Sequence, residues 1–101
     1  MDSEYTDVIA VFDIGRTWKR FQLFDKSLST LHTEEKVIGE TFDPGGHPCD
    51  DLPAIEAWMQ SCLTGVAGRD LYSIRAVSVA ASDGCEEHLK ESVSEIVKQL
   101  P

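Results

Sequence analysis

The feature that most constrains this chain is residues 8–12, Val-Ile-Ala-Val-Phe, its longest apolar run at about five residues. A membrane-spanning helix needs about 20 apolar residues, so this run cannot be one. Flanked by Asp7 and Asp13 and apolar on both faces of an extended chain, it reads as a strand buried on both sides. Gly15 follows two residues after Asp13, and residues 18–25 (WKRFQLFD) read as a second strand. A link this tight joins antiparallel neighbours, so the chain is predicted to open with a hairpin.

A turn at residues 25–27 leads into residues 28–38 (LSTLHTEEKVI), a more polar stretch expected at a sheet edge. Residues 39–51 (GETFDPGGHPCDD) are expected to be a loop, since Pro44, Gly45, Gly46 and Pro48 interrupt regular structure. Leu52, Ile55, Met59, Leu63 and Val66 then recur at spacings of 3, 4, 4 and 3, which predicts a helix over 52–67. Asp50 or Asp51 can cap it, Pro53 is tolerated in its first turn, and Gly68 is a plausible stop. Residues 73–81 (SIRAVSVAA) read as a fourth strand, again central, reached by a right-handed crossover and so parallel to its partner. The final helix is expected to begin at Ser82-Asp83-Gly84, with Asp83 and Glu86 at capping-box spacing. Leu89, Val93, Ile96, Val97 and Leu100 form its apolar stripe, and Lys90 and Lys98 lie toward the end that the helix dipole makes favourable for cations.

The order is therefore β-β-β-α-β-α: an α/β domain with a mixed four-stranded sheet and two helices, three-layer-like, matching the beginning of a ribonuclease-H-like fold. Residues 1–101 are expected to form one domain. Its expected core is Ile9, Val11, Phe21, Leu23, Ile55, Met59, Leu63, Val77, Val79, Leu89, Val93 and Ile96.

Charge narrows the function. Nine Lys and Arg stand against 18 Asp and Glu, a net charge of −9. That opposes a general nucleic-acid or anionic-membrane binder, whose footprint is basic. A soluble, cytoplasmic protein is expected. Met1-Asp2-Ser3-Glu4 is acidic where a secretory signal carries positive charge. Cys49, Cys62 and Cys85 are odd in number and widely spaced, which suits reduced thiols and lacks the paired spacing of a zinc site. His32, His47 and His88 are scattered, and no Ser-His-Asp or Cys-His order is apparent.

The segment richest in chemistry is residues 12–20 (FDIGRTWKR). Asp13, closing a strand, can hold Mg²⁺ directly or through water. Gly15 suits a tight turn with positive φ and lets backbone N–H groups approach a ligand. Thr17 offers a hydroxyl to a phosphate oxygen. Arg16, Lys19 and Arg20 gather three of the nine basic residues within five positions. Together these suit the terminal phosphates of a nucleotide. The same Asp and Gly also serve ordinary hairpin turns.

The wider pattern resembles the start of the FGGY family of carbohydrate kinases. That family opens with a strand, an Asp-x-Gly-x-Thr phosphate loop and a strand ending near Leu-Phe-Asp, here Val8 through Thr17 and Phe21-Gln22-Leu23-Phe24-Asp25. The stretch Gly46-His47-Pro48-Cys49-Asp50-Asp51-Leu52, with Ile55, Trp58 and Met59, also looks like a branch of the family, as does Ile74-Arg75-Ala76-Val77-Ser78-Val79. The resemblance covers about residues 7–80. It implies ATP and Mg²⁺ as cofactors, with Asp13 near the metal and Gly15, Thr17 and Arg20 lining the nucleotide phosphates. Nucleotide and sugar would be the ligands of the full-length parent.

Two departures stand out. Trp18 replaces a small or polar residue, and residues 82–101 leave the family pattern for a helix. Family members are several times longer, and their sugar-activating base lies beyond residue 101. The chain looks like an N-terminal piece of a sugar kinase that carries the phosphate loop, lacks the base, and is inactive alone. One competing reading is a non-catalytic interaction module that pairs with the remainder of a kinase or with itself. Another is a two-metal nuclease using Asp13, Glu56 and Asp83, which the acidic charge opposes. Glu56 also reads as a solvated flank residue and Asp83 as a helix cap.

Overall fold

The structure, a computed structural model, describes residues 5–69, 71–81 and 86–100. In chain order its elements are β1 (Thr6–Ile14), β2 (Trp18–Phe24), β3 (Thr30–Val37), β4 (Thr41–Phe42), β5 (Pro48–Cys49), α1 (Leu52–Ala67), β6 (Tyr72–Ala81) and α2 (Glu86–Lys98). The main sheet has the order β3-β2-β1-β6, with β1–β2 and β2–β3 antiparallel and β1–β6 parallel. The expected hairpin, edge strand, helix and parallel return are thus present, and the sheet is mixed.

Alternation along β1 decides where the core sits. Val8, Ala10, Phe12 and Ile14 are buried, while Ile9 and Val11 are half-buried and Asp13 is exposed. Phe12 lies opposite Phe21 and Ala10 opposite Leu23, so β2 buries the same face. Ile55, Met59, Cys62, Leu63 and Val66 of α1 join this cluster, as do Leu89 and Val93 of α2. Phe12 stacks on Phe21 at 4.8 Å between ring centroids and meets Trp58 of α1 edge-on at 5.8 Å. Such contacts are worth about 0.5–1.5 kcal/mol beyond simple burial. Trp58, off the centre of its helix stripe, therefore covers the strand that carries Asp13.

Both helices lie against one face of the sheet, and among the described residues no helix covers the other. Over the described residues the fold therefore has two layers where three-layer-like packing was expected, and β1 is fully buried on one side only. The expected core members Ile9, Val11, Val77 and Ile96 are half-buried for that reason or because they sit at the margin. Among the described residues β6 lies at the sheet's edge, with β1 as its one strand partner.

Residues 39–51 also depart from the expected loop, because β4 and β5 pair as a small hairpin. Pro44 and Gly46 act there as turn formers. Gly46 has φ +83° and its N–H reaches Asp43 O at 2.9 Å, while Asp43 Oδ1 accepts from His47 N at 2.9 Å. Asp51, rather than Asp50, caps α1 by accepting from Ala54 N at 3.3 Å. Asp83, expected as the cap of α2 and as a nuclease acid, lies outside the described residues.

Candidate functional site

The β1–β2 turn, residues 15–17, is closed by Gly15 N donating to Trp18 O at 3.0 Å. A Cβ on Gly15 would stand 3.0 Å from that same oxygen. Among the described glycines only Gly46 has positive φ. Gly15 therefore eases a close backbone approach and does not, as the sequence suggested, supply a left-handed conformation.

Register places the neighbouring side chains. Asp13 pairs with Arg20 across β1–β2, and Arg20 pairs with Glu35 across β2–β3. All three project from the open face. Arg20 Nε donates to Glu35 Oε2 at 2.9 Å, with both side chains about half exposed. Among the described residues the Asp13 side chain makes no hydrogen bond or ion pair. Asp13, Gly15, Trp18, Arg20 and Glu35 line one depression of about 420 Å³.

Of the expected site residues, the structure thus brings together Asp13, Gly15 and Arg20. Thr17 is exposed in the same turn but does not line the depression, and its carbonyl accepts from Ile38 N at 3.1 Å. Lys19, grouped with Arg16 and Arg20 as a phosphate-facing cation, points the other way. It is 1% exposed, and its ammonium donates to Arg16 O and Ile38 O, each at 2.8 Å. Alternation along β2 explains this: Arg20 faces out and Lys19 faces in. Glu35 and Trp18 complete the depression, and Glu35 is the residue that sequence reasoning missed. Trp18 is 62% exposed and forms part of the wall of the depression.

The charge balance there is two carboxylates and one guanidinium. That balance is unfavourable to a bare polyphosphate. Mg²⁺ keeps several waters and takes one or two protein carboxylates beside substrate phosphates, and Asp13, at a strand end and open to water, is the carboxylate of this depression that could serve as such a ligand.

Of the three acids of the nuclease reading, Asp13 and Glu56 lie on opposite faces of the sheet, and Asp83 lies outside the described residues. Glu56 sits on α1, on the helix-covered side of the sheet, where its Oε2 accepts from Ser92 Oγ and lies 3.0 Å from His88 Nε2. Among the described residues no group of three or more His, Cys, Asp and Glu could hold a metal ion. Cys62 is no nucleophile either. Burial, then the Glu34 charge and its hydrogen bond, push the thiol up to about 12. Cys49 and Cys62, the cysteines among the described residues, are both free.

No protein-family model matches the sequence, and no curated protein does. Solved structures do match. The fold proves to be one that carbohydrate kinases contain, as the resemblance over residues 7–80 led one to expect. A gluconate kinase from Lactobacillus acidophilus superposes with a TM-score of 0.62 at 18% identity, over 75% of this chain and 15% of that one. A ligand-bound xylulose kinase from the same organism gives 0.61 at 19%, over 74% and 15%. A carbohydrate kinase from Novosphingobium aromaticivorans gives 0.59 at 22%, over 73% and 16%. At these identities the likeness is one of fold. The chain spans only about 15% of the length of the first two kinases.

Proposed function

We propose that this chain is the N-terminal part of an ATP-dependent carbohydrate kinase of the FGGY type, and that residues 13–20 carry its phosphate-binding turn. The supporting observation is the fold shared with three carbohydrate kinases, with a carboxylate, Asp13, that is unpaired among the described residues beside the turn. On this reading residues 1–101 form one domain that begins a ribonuclease-H-like fold. It is a cytoplasmic protein that binds no nucleic acid; among the described residues no helix is long and apolar enough to cross a membrane.

Each residue has a role that its position allows. Asp13 holds Mg²⁺, which when bound offsets the charge of the nucleotide phosphates. Gly15 lets the turn backbone approach a phosphate oxygen, and the Thr17 hydroxyl donates to another. Arg20 exchanges its half-exposed bond to Glu35 for a phosphate, which costs little because surface ion pairs are worth about 0–1 kcal/mol. A phosphoryl transfer also needs a base for the sugar hydroxyl and the second half of the nucleotide site, held together. Neither is assigned to any residue here, so the chain alone is expected to show no kinase turnover.

Sequencing the message past the codon for Pro101 tests this reading. A frame continuing for several hundred codons is expected. An immediate stop, or ATP-dependent sugar phosphorylation by purified residues 1–101, would overturn it.

A further inference from the structure

Lys19 is a buried cation to which the phosphate-site reading gives no role. It is 1% exposed, on the core face of β2, and its ammonium donates to two carbonyls, Arg16 O and Ile38 O, each at 2.8 Å. Among the described residues no carboxylate pairs with it. A cation solvated only by neutral carbonyls keeps its charge uncompensated, and this one lies directly behind the turn at residues 15–17.

Two carbonyls of the turn are engaged by the body of the domain. Arg16 O accepts from Lys19 Nζ, and Thr17 O accepts from Ile38 N at 3.1 Å. A trans peptide sets its C=O and its N–H on opposite sides of the chain. The peptide joining Arg16 to Thr17 is trans, and the buried ammonium holds its oxygen. Its N–H, that of Thr17, therefore points away from the ammonium. Among the described residues that N–H has no acceptor. A donor on the carbonyl also polarises the peptide and makes its N–H a stronger donor in turn.

We propose that Lys19 is a positioning residue of the phosphate turn: its buried ammonium fixes the Arg16–Thr17 peptide so that Thr17 N–H donates to a phosphate oxygen of the nucleotide. The inference rests on the phosphate-site reading of residues 13–20 and adds a backbone donor and the side chain that aims it. Lys19 touches no ligand and acts through this one peptide. It sets the direction of the N–H, and it places positive charge behind the turn in a chain of net charge −9. Without the ammonium, Arg16 O is released to turn to water, and Thr17 N–H turns with it. Every protein group involved lies within residues 16–38, so the device is complete in this part of the molecule.

The test titrates the ¹⁵N-labelled full chain and its Lys19→Met and Lys19→Gln variants with Mg-ATP, with circular dichroism verifying the fold. In the parent the Thr17 amide proton is expected to move downfield on binding. In Lys19→Met the affinity should fall about fivefold, the worth of roughly one hydrogen bond. Extrapolated to saturation, the Thr17 shift should be lost there while the Arg20 Nε–H shift remains. A residue that only stabilised the fold would leave both saturated shifts as they are in the parent. Lys19→Gln keeps a donor and loses the charge, so it should retain the Thr17 shift and bind more weakly than the parent. If Mg-ATP moves no amide of residues 13–20 in the parent, the phosphate-site reading fails and this inference with it. If those amides move and Thr17 does not, or if Lys19→Met shows the parent's Thr17 shift at saturation, the positioning role alone is overturned. Should Lys19→Met not fold, Lys19→Gln binding as tightly as the parent overturns it as well.

Discussion

Lys19 offers the sharpest test of how the turn at residues 15–17 is held. Its ammonium is buried with no carboxylate beside it and is solvated by two carbonyls, Arg16 O in the turn and Ile38 O just beyond β3. The cation thus ties the turn to the end of the neighbouring strand, beside the Ile38 N to Thr17 O bond. In Lys19→Met the apolar stem still packs, but both carbonyls lose their donor. Arg16 O is partly exposed and can turn to water, whereas Ile38 O is buried. Leaving one buried acceptor unsatisfied costs about 1–3 kcal/mol, so a loss near 2 kcal/mol is expected, about 30-fold in the folding equilibrium. Lys19→Ala also removes three buried methylenes at about 0.8 kcal/mol each, for a total loss near 4 kcal/mol. Urea denaturation followed by tryptophan fluorescence measures both values, and amide exchange should quicken at residues 16–18 and 38. A Lys19→Met protein as stable as the parent, or more so, would refute the reasoning. It would mean that the cost of burying the ammonium outweighs what its carbonyl bonds return.

Leu28 has φ 65° and is 71% exposed, so Leu28→Gly relieves a left-handed backbone without losing packing. It should raise stability by about 0.5–1 kcal/mol in thermal or urea unfolding. Glu56→Ala removes the acceptor that His88 and Ser92 of α2 share, and should lower stability by about 1 kcal/mol, with Glu56→Gln recovering part of the loss. Alkylation at pH 8, mapped by mass spectrometry, should label half-buried Cys49 readily and leave Cys62 unlabelled until the chain unfolds. The unfolded Cys62 thiol ionises near its ordinary 9.0 and the folded one near 12, so the folded state binds more protons in that window. Its contribution to stability is full below pH 9 and is lost as pH rises toward 12.

The strand order of the hairpin and the parallel return of residues 73–81 were legible because turn length and an intervening helix leave few alternatives. The phase of β1 was not legible. Residues 8–12 are apolar at odd and even positions alike, so either face could be the core. The choice between Ile9 with Val11 and Val8 with Phe12 follows from both helices packing on one side, a tertiary fact. The inward turn of Lys19 was legible in principle, since adjacent strand residues face opposite ways and Arg20 cannot share its face. Glu35 could not have been found without the β2–β3 register that sets it opposite Arg20. Pro44 and Gly46 read as breakers when counted and as turn formers when their positions are considered.

The central claim is that residues 13–20 form a phosphate-binding turn that works through Asp13 and Mg²⁺. A titration of the ¹⁵N-labelled chain with Mg-ATP, read at every backbone amide, tests it most directly. Weak binding is expected, roughly millimolar, since much of a kinase cleft is absent from so short a chain. The shifts should be confined to residues 13–20 and Glu35, should vanish when EDTA removes the metal, and should be lost in Asp13→Ala. Shifts that survive EDTA, that persist in Asp13→Ala, or that never reach residues 13–20 would contradict the claim.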